Sequence, residues 1–162
     1  WKQSIQRKSP SSSRPRPSTD GAASRNGARR KAISNWWAKA VAAAIGRERI
    51  IVALDSKDGK IVIKGWREST DFTAEEMIRQ VEPFAGGFLC TYVDKEGMMQ
   101  GTDLDWFRRL RAATSLEITA AGGVTTLEDV RALLAMNVRA ALGMAIYTGR
   151  LSLSELASML RS

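Results

Sequence analysis

Residues 50–66 read Ile-Ile-Val-Ala-Leu-Asp-Ser-Lys-Asp-Gly-Lys-Ile-Val-Ile-Lys-Gly-Trp, an apolar run that stops at a carboxylate, Asp55. Ile50 to Leu54 is too short for a helix, rich in β-branched residues and without alternation, which predicts a parallel strand covered on both faces. The polar stretch beyond it carries Gly59 and leads into Lys60 to Ile63, which predicts an extra strand in the loop after Asp55. In parallel α/β folds the loops beyond strand C-termini hold the chemistry, so Asp55 is a candidate functional carboxylate by position. The same position equally suits a carboxylate that only caps or turns the chain.

From this strand onward one unit recurs: a short apolar run, a polar or Gly-containing loop, then an amphipathic helix. Strands are expected at 50–54, 87–93, 116–120 and 138–142. Each is followed by a Ser or Thr with an acid three residues later: Thr73 with Glu76, Thr102 with Asp105, Thr126 with Asp129, and Ser152 with Glu155. That spacing lets side chain and backbone satisfy each other's amides at a helix start. Inward helix faces are expected from Ile78 and Val81, from Phe107 and Leu110, from Val130, Leu133 and Leu134, and from Leu156 and Leu160. Helical crossovers return the chain to the same end of the sheet, so four such units predict a parallel sheet of the α/β class. Upstream, Trp36, Trp37, Val41 and Ile45 predict a helix from about residue 35 to 45, ended by Gly46, with the two tryptophans as packing anchors rather than a base-stacking platform.

Composition bounds the chemistry. A chain of 162 residues with 44% apolar content supports one domain with a real core. No apolar stretch approaches a membrane span, so no membrane association is expected. Cys90 is the only cysteine, which excludes an internal disulfide and fits a reducing, cytoplasmic setting. Histidine is absent, which removes Ser-His-Asp, Cys-His and His-metal chemistry; no metal site is expected, and acid–base work falls to Asp, Glu, Lys, Tyr or Cys.

The net charge of +8 is uneven: residues 1–49 hold twelve Lys/Arg against Asp20 and Glu48, while the remainder is slightly acidic. Nucleic-acid binding is therefore not expected of the globular part. Residues 1–35 are rich in Ser, Arg, Pro, Gly and Lys, which predicts disorder. A basic tail, an organelle transit peptide and an arm for anionic surfaces all suit that composition.

Two loops look built for phosphate: Ala121-Gly-Gly-Val-Thr125 after the third expected strand, and Leu142-Gly-Met-Ala145 after the fourth. Glycine lets backbone amides approach an anion closely. Gly pairs are also common in tight turns, but the loops after the last two strands are where (β/α)8 barrels usually build phosphate sites.

Taken together, Val52-Ala-Leu-Asp-Ser56, Gly59-Lys60, Lys64-Gly-Trp66, Thr91 with Lys95-Glu-Gly97, Ala120-Ala-Gly-Gly-Val124 and Gly143-Met-Ala-Ile-Tyr-Thr-Gly149 resemble the second half of the HisA isomerases of histidine biosynthesis. The resemblance covers about residues 38–162 and implies the C-terminal half of a (β/α)8 TIM barrel, strands 5 to 8, behind a basic leader at 1–37. It implies an Amadori rearrangement of the aminoimidazole carboxamide ribotide aldose (ProFAR) to its ketose, without metal or cofactor. The sister cyclase family, HisF, shares the half-barrel plan, but Lys64-Gly-Trp66 is similar to the isomerase.

By resemblance, Asp55 is the general acid, Thr91 hydrogen-bonds the reacting sugar, Trp66 stacks on the imidazole carboxamide, and Gly122, Gly123, Gly143 and Met144 hold one of two phosphates. The family's second carboxylate and its other phosphate site lie on strands that this chain lacks. Glu96-Gly97-Met98 stands where the family commonly has Asp-Gly-Thr, and Gly27-Ala-Arg-Arg30 resembles the run into the family's fourth strand. Residues 1–37 thus read as a replaced leader or a misread version of the missing half. A half-barrel exposes an inner face and two sheet edges, so the expected partner is a second copy or a first-half fragment.

Overall fold

The computed structural model describes residues 35–95 and 101–161. The expectations for the leader up to residue 34, for Gly27-Ala-Arg-Arg30 and for Glu96-Gly97-Met98 lie outside the described residues. Helix α1 spans Trp36–Ile45 and ends at Gly46, whose φ of 87° takes the left-handed conformation that stops the helix. A single 3₁₀ turn, Arg47–Arg49, then feeds β1, Ile51–Lys57. Strands β2 (Lys60–Ile63) and β3 (Glu68–Ser69) follow, then α2 (Ala74–Val81) and β4 (Gly87–Tyr92). The remaining elements are α3 (Leu104–Ala113), β5 (Glu117–Ala121), α4 (Leu127–Ala135), β6 (Arg139–Ala140), α5 (Met144–Tyr147) and α6 (Leu153–Met159).

All six strands join one sheet in the order β3-β2-β1-β4-β5-β6. Strands β1, β4, β5 and β6 run parallel, as the repeated unit predicts. The sheet as a whole is mixed, because β2 and β3 fold back antiparallel at one edge. That hairpin pairs with β1 as a strand through Ser56 with Ile61 and Lys57 with Lys60. Among the described residues, Ile51 to Asp55 therefore have a strand neighbour on the β4 side alone.

The core lies on one face of the sheet. Leu54 on β1, Phe88 and Cys90 on β4, and Ile118 and Ala120 on β5 meet Ile78, Val81, Phe107, Leu110 and Leu133 from the helices in a single cluster. Successive strand residues point to opposite faces, so Ile51, Ala53 and Asp55, Leu89 and Thr91, and Glu117, Thr119 and Ala121 line the other face. Helices do not cover that side: Ile51 is 68% exposed. The expectation of a first strand covered on both faces is thus overturned, because its second face needs apolar surface that the described residues do not supply.

Other expectations divide. Capping boxes form at Thr73 with Glu76, Thr126 with Asp129 and Ser152 with Glu155. At α3 the cap is Asp103, whose Oδ1 accepts from the Trp106 amide at 2.8 Å, and Thr102 lies one residue too early. The Thr102 hydroxyl is buried without a hydrogen-bond partner among the described residues. Leu134 and Leu160 face out rather than in. Trp36 and Trp37 do not anchor α1: they are 71% and 44% exposed, beside exposed Val41 and Ile45, and only Ala38 of that helix is buried. Among the described residues nothing buries the apolar stripe of α1. No helix of the described residues is long and apolar enough to cross a membrane.

Candidate functional site

The parallel register brings the candidate residues into one rank. Asp55 of β1 pairs with Thr91 of β4, and Thr91 pairs with Ala121 of β5. In-register neighbours on parallel strands share a face, so the Asp55 carboxyl and Thr91 hydroxyl sit side by side on the uncovered face, at the C-terminal ends of their strands. Leu54 and Ser56 on either side of Asp55 are turned into the protein and buried. The alternation that points them inward is what presents the carboxylate outward.

Trp66 closes on this carboxylate from the β2–β3 turn. Its indole Nε1 donates to Asp55 Oδ2 at 2.8 Å. The turn that delivers it is strained: Lys64, Gly65 and Trp66 have φ of 54°, 65° and 66° in succession. A left-handed conformation costs a bulky residue free energy, and the turn is pinned by an ion pair of Lys64 with Glu68 at 2.8 Å. The resemblance implies a stacking role for Trp66; the contact to Asp55 was not legible from spacing, because nothing in the order of residues fixes which way a loop tryptophan turns. A second tie, the Asp58 amide donating to Asp94 Oδ2 at 2.8 Å, joins the β1–β2 turn to the segment after β4.

The two glycine loops meet. Ala121 to Thr125 and Ala141 to Ala145 line one cleft of about 250 Å³. Its two sides are built differently. Gly122 and Gly123 are left-handed, at φ 86° and 74°, a backbone path open to glycine and costly for other residues. At Gly123 a Cβ would meet the Gly101 carbonyl oxygen at 2.5 Å and Lys95 Cβ at 2.8 Å, so no side chain fits there. At Gly143 a Cβ would meet nothing within 4 Å, which leaves that side of the cleft open for a ligand. Met144 is half-exposed on the rim. Among the described residues the lining carries no charged side chain.

Electrostatics around the rank are set by burial. The Cys90 thiol, paired in register with Leu54, is pushed up to about 12, first by burial and then by the nearby Asp55 carboxylate. It is a core group and not a nucleophile. Tyr92 is likewise pushed up, by burial first and then by Asp103 and Asp94. At the opposite end of the uncovered face, Arg139 pairs with Glu117 at 2.6 Å.

Residues 22–152 match the family described as Histidine biosynthesis protein. The chain is also similar to three proteins named 1-(5-phosphoribosyl)-5-((5-phosphoribosylamino)methylideneamino)imidazole-4-carboxamide isomerase. With that of Methanocaldococcus jannaschii it is 39% identical over 112 residues, 68% of this chain and 47% of that protein. With that of Methanothermobacter thermautotrophicus it is 44% identical over 117 residues, 71% of this chain and 49% of that protein. With that of Aquifex aeolicus it is 35% identical over 109 residues, 67% of this chain and 46% of that protein. The chain spans about half the length of the curated relatives it matches.

Proposed function

The chain belongs to the histidine biosynthesis protein family, and on that premise we propose that it is the strand 5 to 8 half of a (β/α)8 barrel aldose–ketose isomerase. The substrate would be a phosphorylated ribotide of the kind named in its relatives. The observation that carries the proposal is the pairing of Asp55 with Thr91 at the strand ends, one strand from an uncharged glycine cleft.

The chemistry suits these groups. Opening a ribose ring needs an acid at the ring oxygen, and enolising the resulting imine needs a base at the neighbouring carbon. Asp55 serves as the acid: Trp66 holds Oδ2, which leaves Oδ1 to face the sugar. Thr91 orients the reacting hydroxyl beside it. Gly122, Gly123, Gly143 and Met144 receive the phosphate, and the Trp66 ring lies where it can stack on the imidazole carboxamide. The base comes from outside this chain. A first-half fragment brings its own carboxylate, and a second copy closing the barrel brings a second Asp55. Either occupant also covers the open face of β1 and the apolar stripe of α1.

The test is isomerisation of the ribotide by the purified chain, alone and mixed with the first half of a related isomerase. Turnover is expected in the mixture and lost with Asp55→Asn; turnover unaffected by Asp55→Asn sinks the assignment. A second reading, a half-domain that binds phosphorylated sugars without turnover, is favoured by the anion cleft lying wholly within this chain. It predicts phosphate binding with no turnover in either arrangement. A cyclase-like half is the third reading, and the Trp66 contact to Asp55 speaks for the isomerase over it.

A further inference from the structure

The glycine cleft has a shape for phosphate but no charge. A phosphate monoester carries close to two negative charges above its second pKa of about 6, and amides alone leave them uncompensated. Lys95 is the cation placed to supply that compensation. It ends the 3₁₀ turn Val93–Lys95 directly after β4, and its Cβ packs against the Gly122-Gly123 turn, 2.8 Å from where a Gly123 Cβ would stand. Lys95 does not itself line the cleft, but from beside the turn its flexible four-carbon stem lets the ammonium swing toward the glycine amides. No ion pair among the described residues engages Lys95, whereas Arg139, on the strand leading into the Gly143 loop, is held by Glu117.

We propose that Lys95 is the counter-charge of the phosphate cleft and selects for the dianionic form of the phosphoryl group. This rests on the cleft being a phosphate site, as in the proposed function. The absence of a side chain at Gly123 has a second consequence: it leaves room for Lys95 beside the turn. As a compact point charge, lysine suits a phosphate whose orientation is already fixed by backbone donors.

The test is calorimetric titration of the full chain with inorganic phosphate between pH 5.5 and 7.5, for the parent and for Lys95→Arg, Lys95→Gln, Lys95→Met and Gly143→Val. The parent's affinity is expected to rise with pH as the ligand becomes dianionic. Lys95→Gln and Lys95→Met should lower affinity at pH 7.5 about tenfold or more and flatten that rise, while Lys95→Arg keeps both. Equal affinity and an intact rise across Lys, Arg and Gln, with binding lost in Gly143→Val, overturns the role of Lys95 and leaves the cleft standing. No phosphate binding by the parent chain overturns the cleft itself, and this inference with it.

Discussion

Asp55 is presented by the pleat and held by an indole, and the two contributions separate by mutation. In Asp55→Asn the amide oxygen can still accept from Trp66, so folding stability should hardly change. Turnover in the mixed half-barrel assay should fall about a hundredfold to ten-thousandfold if Asp55 is the acid. The glycines of the cleft divide the same way. Gly123→Ala forces a left-handed alanine onto the Gly101 carbonyl and should destabilise by about 1–3 kcal/mol in urea unfolding. Gly143→Ala meets open space, so its effect should appear in phosphate affinity more than in the unfolding midpoint. Cys90 supplies a pH test. Its thiol is raised from 9.0 to about 12 by burial and then by Asp55, so between those values only the unfolded chain loses the proton. Stability is therefore fully present below about pH 9 and falls as pH rises towards 12, a decline that Cys90→Ala should remove. At pH 8 a disulfide reagent should label the unfolded chain and spare the folded one. Thr91, Trp66 and Met144 became candidates only through the family resemblance, whereas Asp55 and the Gly pairs were legible from strand ends and loop composition. Which of two glycines is sterically required was not, since that depends on what crosses it in space.

Helix starts show how far local pattern reaches. Three of the expected caps formed, at Thr73, Thr126 and Ser152, although at α4 Thr125 with Glu128 offers a second register one residue earlier. At α3 two registers compete, Thr102 with Asp105 and Asp103 with Trp106, and the shift by one residue is decided by packing: it buries Trp106, Phe107 and Leu110 together. Thermal melts should report this. Asp103→Ala is expected to cost about 1 kcal/mol through loss of the cap, whereas Thr102→Ala should not reproduce that loss. Strand β6 formed over only Arg139–Ala140 of the expected 138–142, because the chain turns away beyond it to make the Gly143 loop. The capping box of α6 adds a pH term: Ser152 hydrogen bonds hold the Glu155 carboxyl below its usual value. That contribution is present at neutral pH and is lost as acid protonates Glu155.

At the scale of the whole molecule the description has an inside and an unfinished side. Apolar runs read correctly as strands, yet whether their second face is covered was not legible, since that depends on residues outside the matched half. Ile51 on the sheet and Trp36, Trp37, Val41 and Ile45 on α1 are among the exposed apolar residues. If a second copy covers them, sedimentation should show mass rising with concentration, and Ile51→Glu with Trp37→Glu should hold the chain monomeric while its circular dichroism is kept. A parent that stays monomeric at every concentration leaves the first-half fragment as the partner. The rank of Asp55, Thr91 and Ala121 has a further consequence for how such a protein can change. These residues lie near the C-terminal ends of their strands, where in such folds the loops beyond carry ligand discrimination. Loops from other members could therefore be grafted onto this sheet to alter ligand choice, with Asp55 and Thr91 inherited unchanged from the strands.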